Sequence, residues 1–176
     1  MPASVPDRPA PDEYAPYYAR YINRVPTGDL VALLAAQVAT FRTTFGAAAE
    51  PRAGFRYAPG KWSLREVIGH LIDTERVFTF RAISFARGDQ HPLPSFDQDA
   101  WVPLAHFDAR PLDSLVEEWS MQRAATIAMV RGLPDDALLR RGIASDVSFT
   151  VRALLHIPHG HLEYHVEHAR THYGVG

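Results

Sequence analysis

The sequence contains no cysteine, and this absence excludes several kinds of chemistry. Disulfide bonds, zinc sites built from thiolates and cysteine nucleophiles all require the missing residue. A bound transition metal would have to be held by imidazole and carboxylate groups. That set of ligands suits zinc, nickel, iron and manganese about equally well.

An excess of positive charge and long apolar runs are also missing. The formal net charge is −2 at pH 7, so nothing favours a nucleic acid or an anionic membrane as a partner. No stretch approaches the roughly 20 apolar residues of a membrane-spanning helix. The N-terminus does not combine a basic segment with an apolar run, as a signal peptide does. We therefore expect a soluble cytoplasmic protein.

The residues that are present suit one folded domain with an unusual supply of histidine. At 176 residues, the chain has the length of a single ordinary domain. Apolar residues make up 47% of it and charged residues 22%, which favours a sizeable core over disorder. Six of the nine histidines fall between His156 and His172, and this cluster requires a chemical explanation.

Apolar residues recur at helical spacing in four segments. The four predicted helices run from Thr27 or Asp29 to Gly46, from Ser63 to Gly88, from Pro111 to Gly132, and from Thr150 to Tyr173, with Gly174 as a C-cap. The second helix has the clearest start, because Ser63 and Glu66 have the spacing of a capping box. Pro158 is expected to kink the fourth helix, since proline removes one backbone hydrogen bond.

Four such helices with little strand signal predict an all-α fold, a four-helix bundle. We expect short links between the first and second helices and between the third and fourth, making each pair antiparallel neighbours. The connection between the second and third helices is long enough to cross the bundle, so these two can be parallel. The predicted order is up-down-down-up. Residues 1–26 are expected to form an N-terminal arm packed on the bundle, and residues 27–176 a single domain.

The spacing of the histidines predicts a metal site. His161 and His165 are four residues apart in the fourth helix, so their side chains stack on one face and can hold one ion. His70 lies near the inward face of the second helix and is the candidate third ligand. Three histidines leave a coordination position open for water or substrate, as a catalytic metal site requires. The alternative for each histidine is a hydrogen-bonded residue of the core.

Two segments carry a resemblance to a known family. They are PGKWSLREVIGHLIDTER, residues 59–76, and VRALLHIPHGHLEYHVEH, residues 151–168. Together with the opening YAPYYARYINRVPTGDL, they resemble the DinB-like (YfiT-type) superfamily of four-helix-bundle metal-dependent enzymes over residues 14–173. The resemblance implies that the same three histidines bind a divalent ion, with zinc or nickel favoured over iron or manganese. It also implies a homodimer.

Three further residues are candidates for the site. Asp73, one turn after His70, could accept a hydrogen bond from a ligand imidazole or act as a catalytic base; the alternative is a solvated helix carboxylate. Arg123, on the third helix, could pair with an inward carboxylate or bind an anionic group of the substrate. Trp101 lies in the crossover segment FDQDAWV, residues 96–102, where the lid of a substrate pocket would be built.

The predicted function is that of a metal-dependent enzyme that activates a nucleophile. The resemblance favours transfer of a small thiol to an electrophile, with hydrolysis of an amide or ester as the alternative. A third hypothesis is a non-catalytic metal-binding protein of a stress response. Coordination distinguishes these functions, because a closed sphere with His168 or a carboxylate as a fourth ligand would favour a structural metal.

Overall fold

The computed structural model describes residues 8–176, so the first seven residues of the predicted N-terminal arm lie outside the described part. The α-helices are α1 (Ala19–Ile22), α2 (Leu30–Phe45), α3 (Leu64–Ala86), α4 (Gln98–Ala105), α5 (Leu112–Arg131) and α6 (Val151–Tyr173). Two strands, β1 (Arg141–Ala144) and β2 (Val147–Thr150), form an antiparallel hairpin. In the part of the chain described, no helix is both long and apolar enough to cross a membrane.

The four long helices α2, α3, α5 and α6 are the four predicted from the sequence, and local capping sets their ends. The Asp29 side chain accepts hydrogen bonds from two amides in the first turn of α2. Ser63 and Glu66 form the predicted capping box at the start of α3. Thr150 caps the start of α6, and Gly174 ends that helix in the left-handed conformation with a φ of 66°.

Two apolar clusters, one at each end of the bundle, establish the directions of the helices. One cluster combines the first halves of α2 and α6 with the second halves of α3 and α5: Leu30, Leu34, Ala82, Phe85, Ile127, Val130, Leu154 and Leu155. The other combines the opposite halves: Phe41, Phe45, Leu64, Val67, Leu112, Leu115, Leu162 and Val166. Helices α2 and α6 are therefore parallel to each other and antiparallel to α3 and α5. The predicted four-helix bundle with up-down-down-up order is confirmed.

The neighbours within the bundle differ from those expected. Each of α2 and α3 packs mainly against α5 and α6, so the consecutive helices α2 and α3 lie diagonally, as do α5 and α6. The expectation of short links between these pairs is wrong. Residues 46–63 include a 3₁₀-helix and residues 132–150 include the β-hairpin, so both links are long enough to cross the diagonal.

Helix α4 and the hairpin were not predicted. Helix α4 interrupts the crossover, and the side chain of Asp97 caps its start. Ser145 and Asp146 form the hairpin turn with φ values of 52° and 60°. The amide of Leu93 donates to the carbonyl of Ile143 at 2.9 Å, so the hairpin holds the crossover against the bundle.

The described part of the N-terminal arm is bound to both the start and the middle of α6. Glu13 is buried, and its carboxylate accepts hydrogen bonds from Arg152 Nε and Thr150 Oγ1, each at 2.7 Å. Burial opposes its ionisation, but the hydrogen bonds outweigh burial and lower the pKa of Glu13 to about 2. Further along, the ring of Tyr21 in α1 packs edge-on against His161 with a centroid distance of 5.1 Å.

Substitution of Gly160 by alanine should destabilise the protein, although alanine favours helix. A Cβ atom at Gly160 would lie 1.9 Å from the carbonyl oxygen of Tyr21, and a backbone atom cannot easily move aside. Overpacking of this kind costs about 1–3 kcal/mol, whereas the gain in helix propensity is roughly 1 kcal/mol. We expect a net loss on the order of 1 kcal/mol in the free energy of unfolding, measured by chemical denaturation.

The matched control is Gly54→Ala, because a Cβ atom at Gly54 would meet only an ordinary contact at 3.7 Å with Arg65 Nη1. Gly54→Ala should retain the wild-type stability within error. A Gly160→Ala protein as stable as wild type would show that α1 does not approach α6 this closely.

The metal-free protein should lose stability as the pH falls below about 6.5. His156 and His159 are each 3% exposed, and burial lowers the pKa of each from 6.5 to about 4. Between these two values the unfolded chain binds protons that the folded chain does not, so the free energy of unfolding falls with the pH. The slope is about 1.4 kcal/mol per pH unit for each histidine and is measured by denaturant titrations at a series of pH values.

Two substitutions test the origin of this slope. His156→Gln removes one titrating group and should make the slope shallower. His159→Gln removes the other buried titrating group and should make the slope shallower as well. Equal slopes in the wild-type and His156→Gln proteins would contradict the burial of a neutral imidazole at this position.

Candidate metal centre

Three histidine side chains from two helices converge in the interior of the bundle. His161 Nε2 lies 3.2 Å from His70 Nε2 and 3.1 Å from His165 Nε2. The side chains are 3%, 5% and 9% exposed for His70, His161 and His165, and each offers one ligand atom within 4.8 Å of the others. The structure thus brings together the three histidines that the spacing and the resemblance had selected.

The separations of these nitrogen atoms fit a shared metal ion. An imidazole nitrogen binds zinc at about 2.0–2.1 Å, which places two tetrahedral ligands roughly 3.3 Å apart. Hydrogen bonding alone does not account for the arrangement. Because an Nε2 atom carries either one proton or one lone pair, His161 can form a good hydrogen bond to only one of its two neighbours. A single cation would satisfy all three nitrogen atoms.

All three imidazoles are held in the neutral form that a metal ligand requires. Burial lowers the pKa of His70 to about 4. Burial also lowers the pKa values of His161 and His165 well below the usual 6.5, and the neighbouring imidazoles lower them further. At neutral pH their lone pairs are therefore free of protons and available to a cation.

Neighbouring side chains orient the ligands. Thr74 Oγ1 lies 3.3 Å from His70 Nδ1, and this contact leaves Nε2 to face the other histidines. The ring of Trp62 covers His70 at a centroid distance of 4.9 Å, and Tyr21 covers His161 at 5.1 Å. Among the described residues, His165 Nδ1 has no hydrogen-bond partner.

Two cavities are each lined by one of the three histidines. The first, which we call the His165 cavity, has a volume of about 270 Å³ and is also lined by Trp62, Lys61 and His168. The second, the His161 cavity, has a volume of about 350 Å³, and its walls include Thr74 and several aromatic rings. One ligand histidine thus faces each cavity, and the centre is accessible although its ligands are buried.

The other predicted site residues lie elsewhere. Asp73 is paired with Arg76 at 3.5 Å and lines an outer groove that also contains Trp101. Neither residue is among the described residues that line the His161 or His165 cavity. Asp73 and Thr74, three and four residues after His70, flank the direction of the His70 side chain on opposite sides. Thr74 lies on the side of the His161 cavity and Asp73 on the side of the outer groove.

Arg123 is also outside both cavities. Its guanidinium donates to the two carboxylate oxygens of Glu75 at 2.9 Å, and both residues are buried. Thr126 donates to the same carboxylate at 2.8 Å. This geometry corresponds to the ion-pair interpretation of Arg123 and leaves no free face for a substrate anion.

The remaining histidines are not grouped with the three ligands. The ring of His168 lines the His165 cavity, with its centroid 6.5 Å from that of His165. His172 stacks on Tyr57 at 4.7 Å. In the described chain, no carboxylate belongs to a cluster with the three histidines. The ligand set provided by the protein is therefore three imidazoles.

Several residues around the centre were missed from the sequence. Thr74 could have been found, because it lies one helical turn after His70. Arg81 lines the His161 cavity and lies eleven residues after His70, three turns along the same face of α3. Tyr21 could not have been found, because only the folded arm brings it to His161.

Comparisons with known proteins agree with this architecture. The profile of the DinB superfamily matches residues 32–169. Comparison with curated protein sequences found no match. The solved structure of YfiT from Bacillus subtilis, described as a probable metal-dependent hydrolase with an unusual four-helix bundle topology, is similar with a TM-score of 0.71. The two sequences are 18% identical, and the match covers 81% of this chain and 85% of YfiT. That similarity shows a shared fold, and the profile match shows the family: the chain belongs to the DinB superfamily.

Proposed function

We propose that the protein is a divalent-metal-dependent enzyme that activates a nucleophile at His70, His161 and His165. The observation that carries this proposal is the convergence of three buried, neutral Nε2 atoms at a point that two cavities reach. A divalent ion held there supplies Lewis acidity, which lowers the pKa of a thiol or water molecule bound to it.

The residues of the chain supply the rest of the environment. Thr74 holds the His70 imidazole in orientation, while Trp62 and Tyr21 cover two of the ligands and limit access of bulk water. Water exclusion strengthens electrostatic interactions at the centre. Three protein ligands also leave a coordination position open, which favours catalysis over a purely structural or sensing role.

Transfer of a small thiol to an electrophile is the reaction that we propose first. The two cavities give separate approaches to the same centre, one beside His165 and one beside His161, as a reaction of two substrates requires. Among the described residues, no carboxylate belongs to the histidine cluster as an adjacent general base, although Asp97 and Asp99 line the walls of the two cavities. A thiol whose pKa is lowered by a metal ion needs no such base at neutral pH.

Hydrolysis of an amide or ester, with water as the nucleophile, is the second candidate. It is supported by the fold shared with YfiT, which is described as a probable metal-dependent hydrolase. Zinc and nickel are the metals that we propose, since both accept imidazole ligands, and iron or manganese are the alternatives.

Substitution of His161 should abolish metal binding without unfolding the protein. Wild-type protein loaded with zinc or nickel and freed of excess metal should retain about one ion per chain by elemental analysis, as expected for one three-ligand site. His161→Ala should retain far less, because only two ligands remain. His172→Ala, on the exposed end of the same helix, is the matched control and should retain the wild-type content. Equal metal content in all three proteins would contradict the site.

Activity assays distinguish the two reactions. The metal-loaded protein is expected to consume small thiols in the presence of a model electrophile, and His161→Ala should be slower by at least about 100-fold, the scale of a lost catalytic group. The same proteins are assayed against a panel of esters and amides. Metal-dependent hydrolysis without thiol consumption would favour the second candidate, and neither activity in metal-loaded protein would contradict an enzyme of either class.

A further inference from the structure

Arg81 is a buried cation without an acidic partner in the described part of the chain. Its side chain is 2% exposed. Nη2 donates to the carbonyl oxygen of Pro94 at 2.8 Å and to Ser145 Oγ at 2.9 Å, and the Tyr18 hydroxyl lies beside the guanidinium. All three partners are uncharged acceptors. No carboxylate of residues 8–176 forms an ion pair with Arg81.

Within the described chain, the absence of an acidic partner distinguishes Arg81 from Arg123, the other deeply buried arginine of the bundle. Arg123 is as deeply buried as Arg81, but both carboxylate oxygens of Glu75 compensate its charge. Burial of a charge without such compensation is costly. At Arg81 burial lowers the pKa of the guanidinium, which is the direction expected where no anion is present.

The position of Arg81 connects it to the metal centre. Arg81 and His161 both line the His161 cavity, whose volume is about 350 Å³. Along α3, Arg81 follows His70 on the same face, and their backbones are separated by about 16 Å at the helical rise of 1.5 Å per residue. The wall of this cavity therefore includes both a ligand histidine and the guanidinium.

Much of the remaining wall of the cavity is aromatic. Tyr18, Tyr21, Phe78 and Phe96 line the cavity, and the Phe78 and Phe96 rings also lie 5.4 and 5.9 Å from the Arg81 guanidinium. Such walls suit a flat, apolar body. Asp97 also lines the cavity, but its side chain accepts hydrogen bonds from the first-turn amides of α4 and does not pair with Arg81.

We propose that Arg81 binds the anionic group of a substrate, an organic anion with a flat apolar body whose reactive end faces the histidines. The inference rests on the proposed function only in placing the reactive end of the substrate at the histidines. Anion binding by Arg81 depends on the cavity alone. Carboxylate and phosphate groups both present negatively charged oxygen atoms, and a guanidinium binds either group through paired N–H donors.

The test measures binding of three probes of similar shape to the full-length protein. Benzoate and phenyl phosphate carry the anion, and benzyl alcohol is the neutral comparison. Isothermal titration of the metal-loaded and of the metal-free protein distinguishes anion binding to the metal ion from anion binding to Arg81. We expect the anions to bind both forms, benzyl alcohol to bind much more weakly, and the preferred anion to identify the carboxylate or phosphate class.

Arg81→Met should weaken binding of the preferred anion by about 10- to 100-fold, the loss expected for hydrogen bonds to a charged group. Arg81→Lys, which keeps the charge, should lose less. The matched control is Arg76→Met on the same helix, because Arg76 is half-exposed and pairs with Glu118 outside the cavity.

Several outcomes would overturn the proposal. One is wild-type protein that binds benzyl alcohol as well as benzoate and phenyl phosphate. Another is anion binding that is present in the metal-loaded form only, since the metal would then be the binding group. If Arg81→Met does not fold, thermal stabilisation of the wild-type metal-free protein by the anions but not by benzyl alcohol supports the proposal, and its absence contradicts it. Catalysis enters none of these measurements and the metal-free protein is titrated on its own, so failure here is distinct from failure of the proposed function.

Discussion

The buried ion pair between Arg123 and Glu75 determines how the four long helices meet at the level of the histidines. It joins α5 to α3, and its energy is a balance between the loss of hydration and close charge-assisted hydrogen bonds. The same guanidinium donates to Gln37 in α2 and to the carbonyl oxygen of Pro158 in α6. Removing one partner from such a pair typically costs about 3–5 kcal/mol, because an uncompensated charge remains. One polar cluster thus sets the relative position of all four helices.

The consequence for the metal centre is a fixed position of α6. Gln37 Nε2 donates to the carbonyl oxygen of His159 at 3.0 Å, two residues before the ligand His161 and six before the ligand His165. Proline at position 158 cannot donate its own backbone hydrogen bond, yet α6 continues through it as one helix. Side chains from α5 and α2 bind the carbonyl groups of Pro158 itself and of the next residue, His159. His161 is therefore held by contacts that also define the bundle.

The parts of the structure that follow from local chemistry could be predicted from the sequence, and the parts that depend on distant contacts could not. The capping box at Ser63 and the cap at Thr150 fixed two helix starts because both signals lie within one turn. The three histidines were selected by helical spacing and by the resemblance. The hairpin was missed because its strands are short, and the crossover it holds is bound through Leu93 and Ile143, which are far apart in the sequence.

Distance along the sequence was insufficient to identify which side chains of α3 line the two cavities and which charges they bring. Asp73 was a reasonable candidate base by sequence distance, but the face of α3 that meets the cavities carries His70, Thr74 and Arg81. With three neutral imidazoles as ligands, a divalent ion would keep its full charge, and no carboxylate clusters with these histidines in the described chain. The guanidinium of Arg81 adds to the positive potential of the same cavity. Asp97, which caps α4, also lines this cavity, so the charges that a ligand would meet there depend on these few side chains and not on the net charge of −2.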